Sequence, residues 1–455
     1  MLAAILILAL FGVLMVSLKK PLLGLYVMLI SLQIEYFFYG ILPGGLTLGR
    51  LSGAIALLGW ALNRNGLRRT LMANRRERTI VVPLAFFLFF TFAGTLMAEE
   101  PGTALSMWIR IVMLVAMSIM IIDLIRSRAD MVALIWVISL GALIGSAVAV
   151  LQYVGFSQGG EVLGNIHQTR EGVRFEGLTS NANVLGIHLL TALPFVMVGF
   201  FTSKAKSARI FFAITATLMA FVIVLTVSRS TIYPFLIFVL CYVVARQLMG
   251  FRSEGAYIGV GLLVGLLLVS VMMSDDYTRE RIMRPIENYE EETSMKKRME
   301  ILFQGFDIVE ISPLVGVGLG NTRNYLMGRD AHDTVSCLVG ETGILGSISF
   351  LTFFVVLLVW QRSVWLRTRT FGDSLQKELV VAVVATGVVL ILWFPVKILL
   401  YQRLFWLWVA MIVWMHTRLP YEGRNDPALN TSRNLNRVCD LSLPTHGLSR
   451  YQSKN

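Results

Sequence analysis

The chain has 455 residues, 56% of them hydrophobic and only 15% charged, with a mean hydropathy of +0.70. That is more apolar surface than a soluble fold can hide, so a polytopic membrane protein is expected and a soluble enzyme excluded. The formal net charge of +12 does not point to nucleic acid, because the basic residues fall in short loops between apolar runs, where they orient helices in a bilayer.

A spanning helix needs about 20 mostly apolar residues. Such segments are predicted at 2–18, 21–39, 46–62, 80–97, 104–124, 131–154, 184–201, 210–227, 231–244, 257–273, 334–360, 379–394 and 398–415. Several are short enough to be re-entrant, so 12 or 13 spans are expected. The N-terminus is apolar before it reaches Lys19 and Lys20, the reverse of a signal peptide, and reads as the first span. The 63–79 loop carries Arg64, Arg68, Arg69, Arg75, Arg76 and Arg78 against Glu77 alone, which places it in the cytoplasm. Alternation then puts the loops at Arg126, Lys204, Arg246 and Arg362 on that side. It sends Glu99 and Glu100, the 155–183 loop, the turn at Ser228-Arg229-Ser230 and the long 274–333 loop outward.

The expected fold is therefore an all-α polytopic membrane protein, one domain over 1–420, with a long extracytoplasmic loop carrying an amphipathic helix. Residues 421–455 are polar and aperiodic and read as a disordered cytoplasmic tail. Cys241, Cys337 and Cys439 have neither disulfide nor metal spacing.

Within the outer loop, Met295, Met299, Leu302, Phe306 and Val309 fall on one helical stripe, opposite Lys296, Lys297, Glu300, Gln304 and Asp307. That predicts an interfacial helix. Arg298 lies beside the stripe, near Leu302, Gly305 and Val309, and serves either to snorkel to headgroups or to bind a substrate phosphate. Arg229, in LTVSRSTIYPF, is a cation between two long apolar runs with almost no loop around it. An ionisable group at that depth is costly and marks a functional site, with capping of a tight turn as the alternative. Its planar fork suits a diphosphate.

In SPLVGVGLGN, Gly316, Gly318 and Gly320 permit close backbone approach to a helix or ligand. The strand–helix context of a dinucleotide loop is missing, so that reading is rejected. His332 in DAHDTVSCLVGETGILG can take a proton from a hydroxyl near neutral pH, or be an interfacial hydrogen-bonder. Asp330 and Asp333 are placed to orient it, and no second His or Cys stands at metal-ligand spacing, so no metal is expected. Glu341, deeper in the same run, should face protein, and Gly343 and Gly346 allow close packing there. In RFEGLTSNANVLGIH, Arg174, Glu176, Asn181 and Asn183 precede a span; the amides suit helix capping or sugar hydroxyls.

Here the chain resembles the O-antigen ligase and O-antigen polymerase superfamily of bacterial envelope glycosyltransferases. The family signature is a His, then Asn, Ser or Gln, nine free positions, Gly, two free positions, and Gly, Thr or Tyr. His332, Asp333, Gly343 and Gly346 fit that spacing, with Asp333 replacing the neutral polar residue. Arg298 occupies the loop-helix Arg position, Pro313 to Gly318 the Gly turn after it, Arg229 the Ser-Arg pair, and Gly177 to Asn183 the earlier Gly and Asn pattern.

The resemblance implies an all-helical enzyme of the bacterial inner membrane with its active site facing the periplasm. Its donor would be a glycan on undecaprenyl diphosphate, with no nucleotide sugar, cofactor or required metal. It further implies inverting displacement at the anomeric carbon. Arg229 and Arg298 would hold the diphosphate, His332 would deprotonate or orient the acceptor hydroxyl, and Arg174, Asn183, Asp333, Glu341, Gly316 and Gly318 would line the substrate. The leading expectation is a ligase acting on an acceptor such as lipid A core. A repeat-unit polymerase and a protein O-oligosaccharyl ligase are the alternatives within the enzyme class, and a polysaccharide or lipid transporter the alternative outside it. A transporter would instead place ionisable residues along a midplane path.

Overall fold

The computed structural model describes residues 2–35, 47–63, 78–158, 166–169, 172–251, 300–301, 303–326 and 333–418. Helices α1 (Leu2–Lys19), α2 (Pro21–Ser31), α3 (Leu48–Leu62), α4 (Arg78–Leu96), α5 (Pro101–Leu124) and α6 (Arg128–Ser157) come first. A two-stranded antiparallel hairpin follows, β1 (Ile166–Thr169) and β2 (Gly172–Phe175). Then come α7 (Ala182–Thr202), α8 (Lys206–Leu225), α9 (Arg229–Leu248), α10 (Thr342–Phe371), α11 (Ser374–Trp393) and α12 (Arg403–Arg418). Among the described residues eight helical stretches are long and apolar enough to cross a membrane. Helix occurs at every predicted span except 257–273, which lies outside the described residues, as does the 421–455 tail. The protein is thus an all-α polytopic membrane protein, and the hairpin is a feature the sequence pattern did not show.

Burial sorts these helices. In α12 every residue from Leu404 to His416 is buried, as befits a helix apolar on all faces. Helix α7 is 78% buried over its apolar window, whereas α4 is only 28% buried and turns Phe86, Phe89 and Phe92 outward. Helices α7, α11 and α12 therefore form the centre, and α4 is an edge. Where the chain turns, polar side chains close the helix ends: capping boxes at Ser127/Asp130 and Asp373/Gln376 start α6 and α11.

The end of the bundle bearing Lys19, Arg126, Arg128, Lys204 and Lys206 is here called the basic end; the opposite end carries residues 303–326 and is called the loop end. At the basic end Trp60 Nε1 donates to Asp123 Oδ2 at 2.9 Å and Trp414 Nε1 to the Ile125 carbonyl at 2.7 Å. Deeper in, Arg246 of α9 and Glu378 of α11 form an ion pair at 2.8 Å with side chains only 3% and 2% exposed. Tyr242 donates to the second carboxylate oxygen of Glu378 at 2.8 Å, and the Arg246 guanidinium stacks 3.7 Å from the Phe201 ring centroid. Such a pair needs both partners, because its Coulomb attraction offsets a large desolvation cost.

Glu378→Ala, which leaves Arg246 buried without this carboxylate, is expected to lower unfolding stability in detergent by about 3–5 kcal/mol. The double variant Arg246→Met, Glu378→Leu should recover most of that loss; a double variant as unstable as the single would show that the pair is not its cause.

Candidate functional site at the loop end

Two groups of predicted residues gather at the loop end, and each has a local reason to form. In the first, the hairpin returns the chain to α7 through a turn at Gly177, whose φ of +58° disfavours a side chain. The buried Gln152 of α6 grips that turn from both sides, accepting from Gly177 N and donating to Gly177 O, each at 2.9 Å. Asn181 then caps α7, its side chain accepting from Val184 N at 3.0 Å.

Asn183, two residues on, does not cap the helix. Its Oδ1 accepts from Arg174 Nη2 at 2.8 Å and from Ser228 Oγ at 2.7 Å. Arg174 also donates through Nε to the Thr226 carbonyl at 2.9 Å. Two motifs about fifty residues apart in sequence thus meet around the turn that presents Arg229, the first residue of α9, half-buried. The turn is strained: Val227 has φ of +46°, a left-handed conformation that a β-branched residue adopts at a cost of about 1–3 kcal/mol. The hydrogen bonds from Arg174 and Asn183 to its flanks oppose that cost.

The second group is a broken helix. Asp333 caps it, accepting from Ser336 N and from Ser336 Oγ, both at 2.7 Å. Thr334 N donates to the Phe394 carbonyl at 3.1 Å, and its hydroxyl oxygen accepts from Leu399 N at 3.1 Å, which ties this start to the turn between α11 and α12. Residues Cys337–Glu341 then form a π-turn, and Gly343 kinks the chain with φ of +63° before α10 continues. Such breaks free backbone groups that must find partners inside a membrane protein.

The Gly-rich loop supplies them. Val317 N donates to Gly340 O at 3.0 Å and Gly318 N to Glu341 O at 3.1 Å; in return Ile344 N donates to Pro313 O at 2.9 Å and Leu345 N to Leu314 O at 3.1 Å. A Cβ at Gly316 would lie 2.4 Å from the Glu341 carbonyl carbon, and one at Gly318 would lie 2.6 Å from the Ala98 Cβ. Both glycines are therefore packed against protein. Glu341, expected to face protein, is buried and accepts from Thr322 Oγ1 at 2.8 Å and Cys337 Sγ at 3.1 Å.

The loop is also clamped to the α4–α5 turn. Asn321 Oδ1 accepts from Glu100 N at 2.8 Å, and Arg323 Nη2 donates to Glu100 Oε2 at 2.6 Å. The Thr103 hydroxyl and then Arg323 hold the Glu100 carboxyl below its ordinary range. The helix before this loop packs through Ile301, Gly305 and Ile308, with Ser336 against Gly305, while Phe303 and Phe306 are exposed. Gly305 lets the broken helix approach on the buried face, and Phe306, on the predicted interfacial stripe, is exposed; Met295, Met299 and Leu302 lie outside the described residues.

Arg298 and His332 lie outside the described residues. Among the described residues no group of three or more His, Cys, Asp or Glu side chains comes together. A further charged cluster went unnoticed in the sequence. Arg403, at the start of α12, donates to Glu35 Oε2 at 2.5 Å and lies 2.8 Å from His188 Nε2, while Thr47 donates to the other Glu35 oxygen at 2.8 Å. The signal was available, since Glu35, His188 and Arg403 are ionisable residues inside predicted spans.

Gly343→Ala combines left-handed strain of about 1–2 kcal/mol with a Cβ 2.5 Å from Gly316 N. It should lower the melting temperature clearly relative to Gly102→Ala, where nothing lies within 4 Å; equal melting would refute the interlock. The lowered Glu100 pKa stabilises the folded clamp above the unfolded carboxylate value of about 4.3. That contribution is lost as pH falls through the folded value, so proteolysis of the 303–326 loop should rise in acid, and Glu100→Gln should abolish the pH dependence.

Comparison with known proteins bears on both groups. A search of curated proteins finds no match. Residues 214–351, which run from α8 through the Arg229 turn and the Gly-rich loop into α10, match a family model described as O-antigen ligase. Over that stretch the chain is similar to the O-antigen ligase family.

Proposed function

We propose that this protein is a periplasm-facing glycosyltransferase of the bacterial inner membrane. It would move a glycan from undecaprenyl diphosphate to an acceptor such as lipid A core, without a metal and with inversion. The observation that carries the reading is the convergence of Arg174 and Asn183 on the turn presenting Arg229. A cation at the mouth of an apolar helix, on a turn braced by a second motif, is how a protein fixes a charge on a reacting group.

In this reading the acceptor oxygen attacks the anomeric carbon, the bond from that carbon to the diphosphate oxygen breaks, and the electron pair leaves on the diphosphate. Arg229 and Arg298 offset the growing negative charge. His332, one residue before the capped start of the broken helix, takes the acceptor proton. Arg174 and Asn183 act as positioning residues for the Ser228-Arg229 turn, and Thr334, two residues after His332, is tied to the 394–399 turn.

Cells lacking the gene, complemented with wild type or with His332→Ala, test this through the carrier linkage of their envelope glycan. Long glycan retained on the lipid carrier supports the ligase; accumulation of single repeat units assigns a polymerase instead. Normal glycan with His332→Ala removes that residue from the mechanism. Arg298→Lys should lose most activity, because an ammonium cannot hold a diphosphate bidentately, and full activity would exclude a fork-like contact.

A further inference from the structure

Arg110 belongs to neither group. It is the tenth residue of α5, about 13 Å along the axis from Pro101, within a stretch of mean hydropathy 2.3. A lipid-facing Arg at that depth would snorkel to the surface. This one turns toward protein: its Nη2 donates to the Tyr401 carbonyl at 3.4 Å, and its guanidinium lies 5.4 Å from the Tyr401 ring centroid. It nevertheless stays exposed, at a site beside the 399–403 turn here called the Arg110 recess.

Among the described residues the charge at that site is unbalanced. Arg110 is in electrostatic reach of Arg403, Arg50 and Glu35. Glu35 is the carboxylate among these groups, and both its oxygens are engaged, one by Arg403 and one by Thr47. His188 adds no negative charge: because Arg403 Nη1 is a donor, His188 Nε2 must accept, and the ring is neutral with its proton on Nδ1. Among the described residues three guanidiniums thus share Glu35; the next carboxylate, Glu341 at the Tyr401 ring, is already engaged by Thr322 and Cys337, and Arg50 at the start of α3 is exposed. The flanking surface is apolar, with Leu105 and Ile109 of α5 42% and 45% exposed. Unbalanced cations inside an apolar rim are complementary to an amphiphile with an anionic head, and a phosphate offers the acceptor oxygens that guanidiniums bind best.

We propose that the recess at Arg110, between Arg50 and Arg403, binds the phosphate of an anionic membrane lipid. The inference rests on the membrane placement of α5 and not on glycosyl transfer, so either can fail alone.

The test titrates the full chain in detergent with phosphatidic acid, phosphatidylcholine or inorganic pyrophosphate and counts bound lipid by native mass spectrometry. Wild type should bind phosphatidic acid in preference to phosphatidylcholine. Arg110→Gln should bind it roughly tenfold more weakly, the loss of one charged hydrogen bond, while Arg323→Gln, at the Glu100 clamp, should bind as wild type. Arg50→Gln, which breaks no side-chain bond among the described residues, gives a second reading should Arg110→Gln fail to fold. Unchanged phosphatidic acid binding in Arg50→Gln and in any folded Arg110→Gln would overturn the site. Displacement of the lipid by millimolar pyrophosphate would assign the recess to a soluble anion and overturn its lipid origin; retention of the lipid supports it.

Discussion

The loop end depends on a single constraint: backbone polar groups freed where a membrane helix breaks must be re-satisfied from within the protein. The break at Cys337–Glu341 and Gly343 is closed by four hydrogen bonds exchanged with residues 313–318. That exchange requires the two backbones to lie nearly in contact, which is why Gly316 and Gly343 each have no room for a side chain. The same docking brings Thr322 to Glu341 and carries Arg323 to Glu100, so one backbone requirement positions the whole loop.

Buried charges follow a related rule. Arg246 and Glu378 sit deep among aromatic rings at the basic end, and Glu35 and Arg403 pair between α2 and α12 at the loop end. Each pair joins helices far apart in sequence, and its desolvation makes a lone partner far costlier than the intact pair is stabilising. These contacts specify which helices are neighbours more than they add to stability. Arg174 and Asn183 act similarly on the scale of a turn, holding a left-handed Val227 next to Arg229. A charge held by strained backbone and opposing hydrogen bonds loses little freedom when it meets a ligand.

Particular residues show how far the sequence could be read. The apolar runs marked the helices, since crossing a bilayer imposes length and composition on each segment separately. Glu341 was legible as protein-facing and Gly343 as a close-packing point, because an ionisable group and a bare backbone in an apolar run have few alternatives. The role of Asn183 was not legible. Capping and sugar binding fit its local context equally, and only the approach of α9 shows that it braces Ser228. The hairpin was missed because its strands are four residues each, too short for an alternating pattern to stand out.

The sequence by itself determined the membrane environment, the helices, the family resemblance and the residues too costly to place without a reason, because each follows from the chemistry of a short segment. The tertiary structure alone decided which of those residues meet. The Gly-rich loop against the broken helix, Arg174 against the Arg229 turn, and Arg110 beside Arg403 all join segments widely separated along the chain. Such contacts depend on how helices pack, and packing is set by the joint shape of many side chains, which no local pattern records.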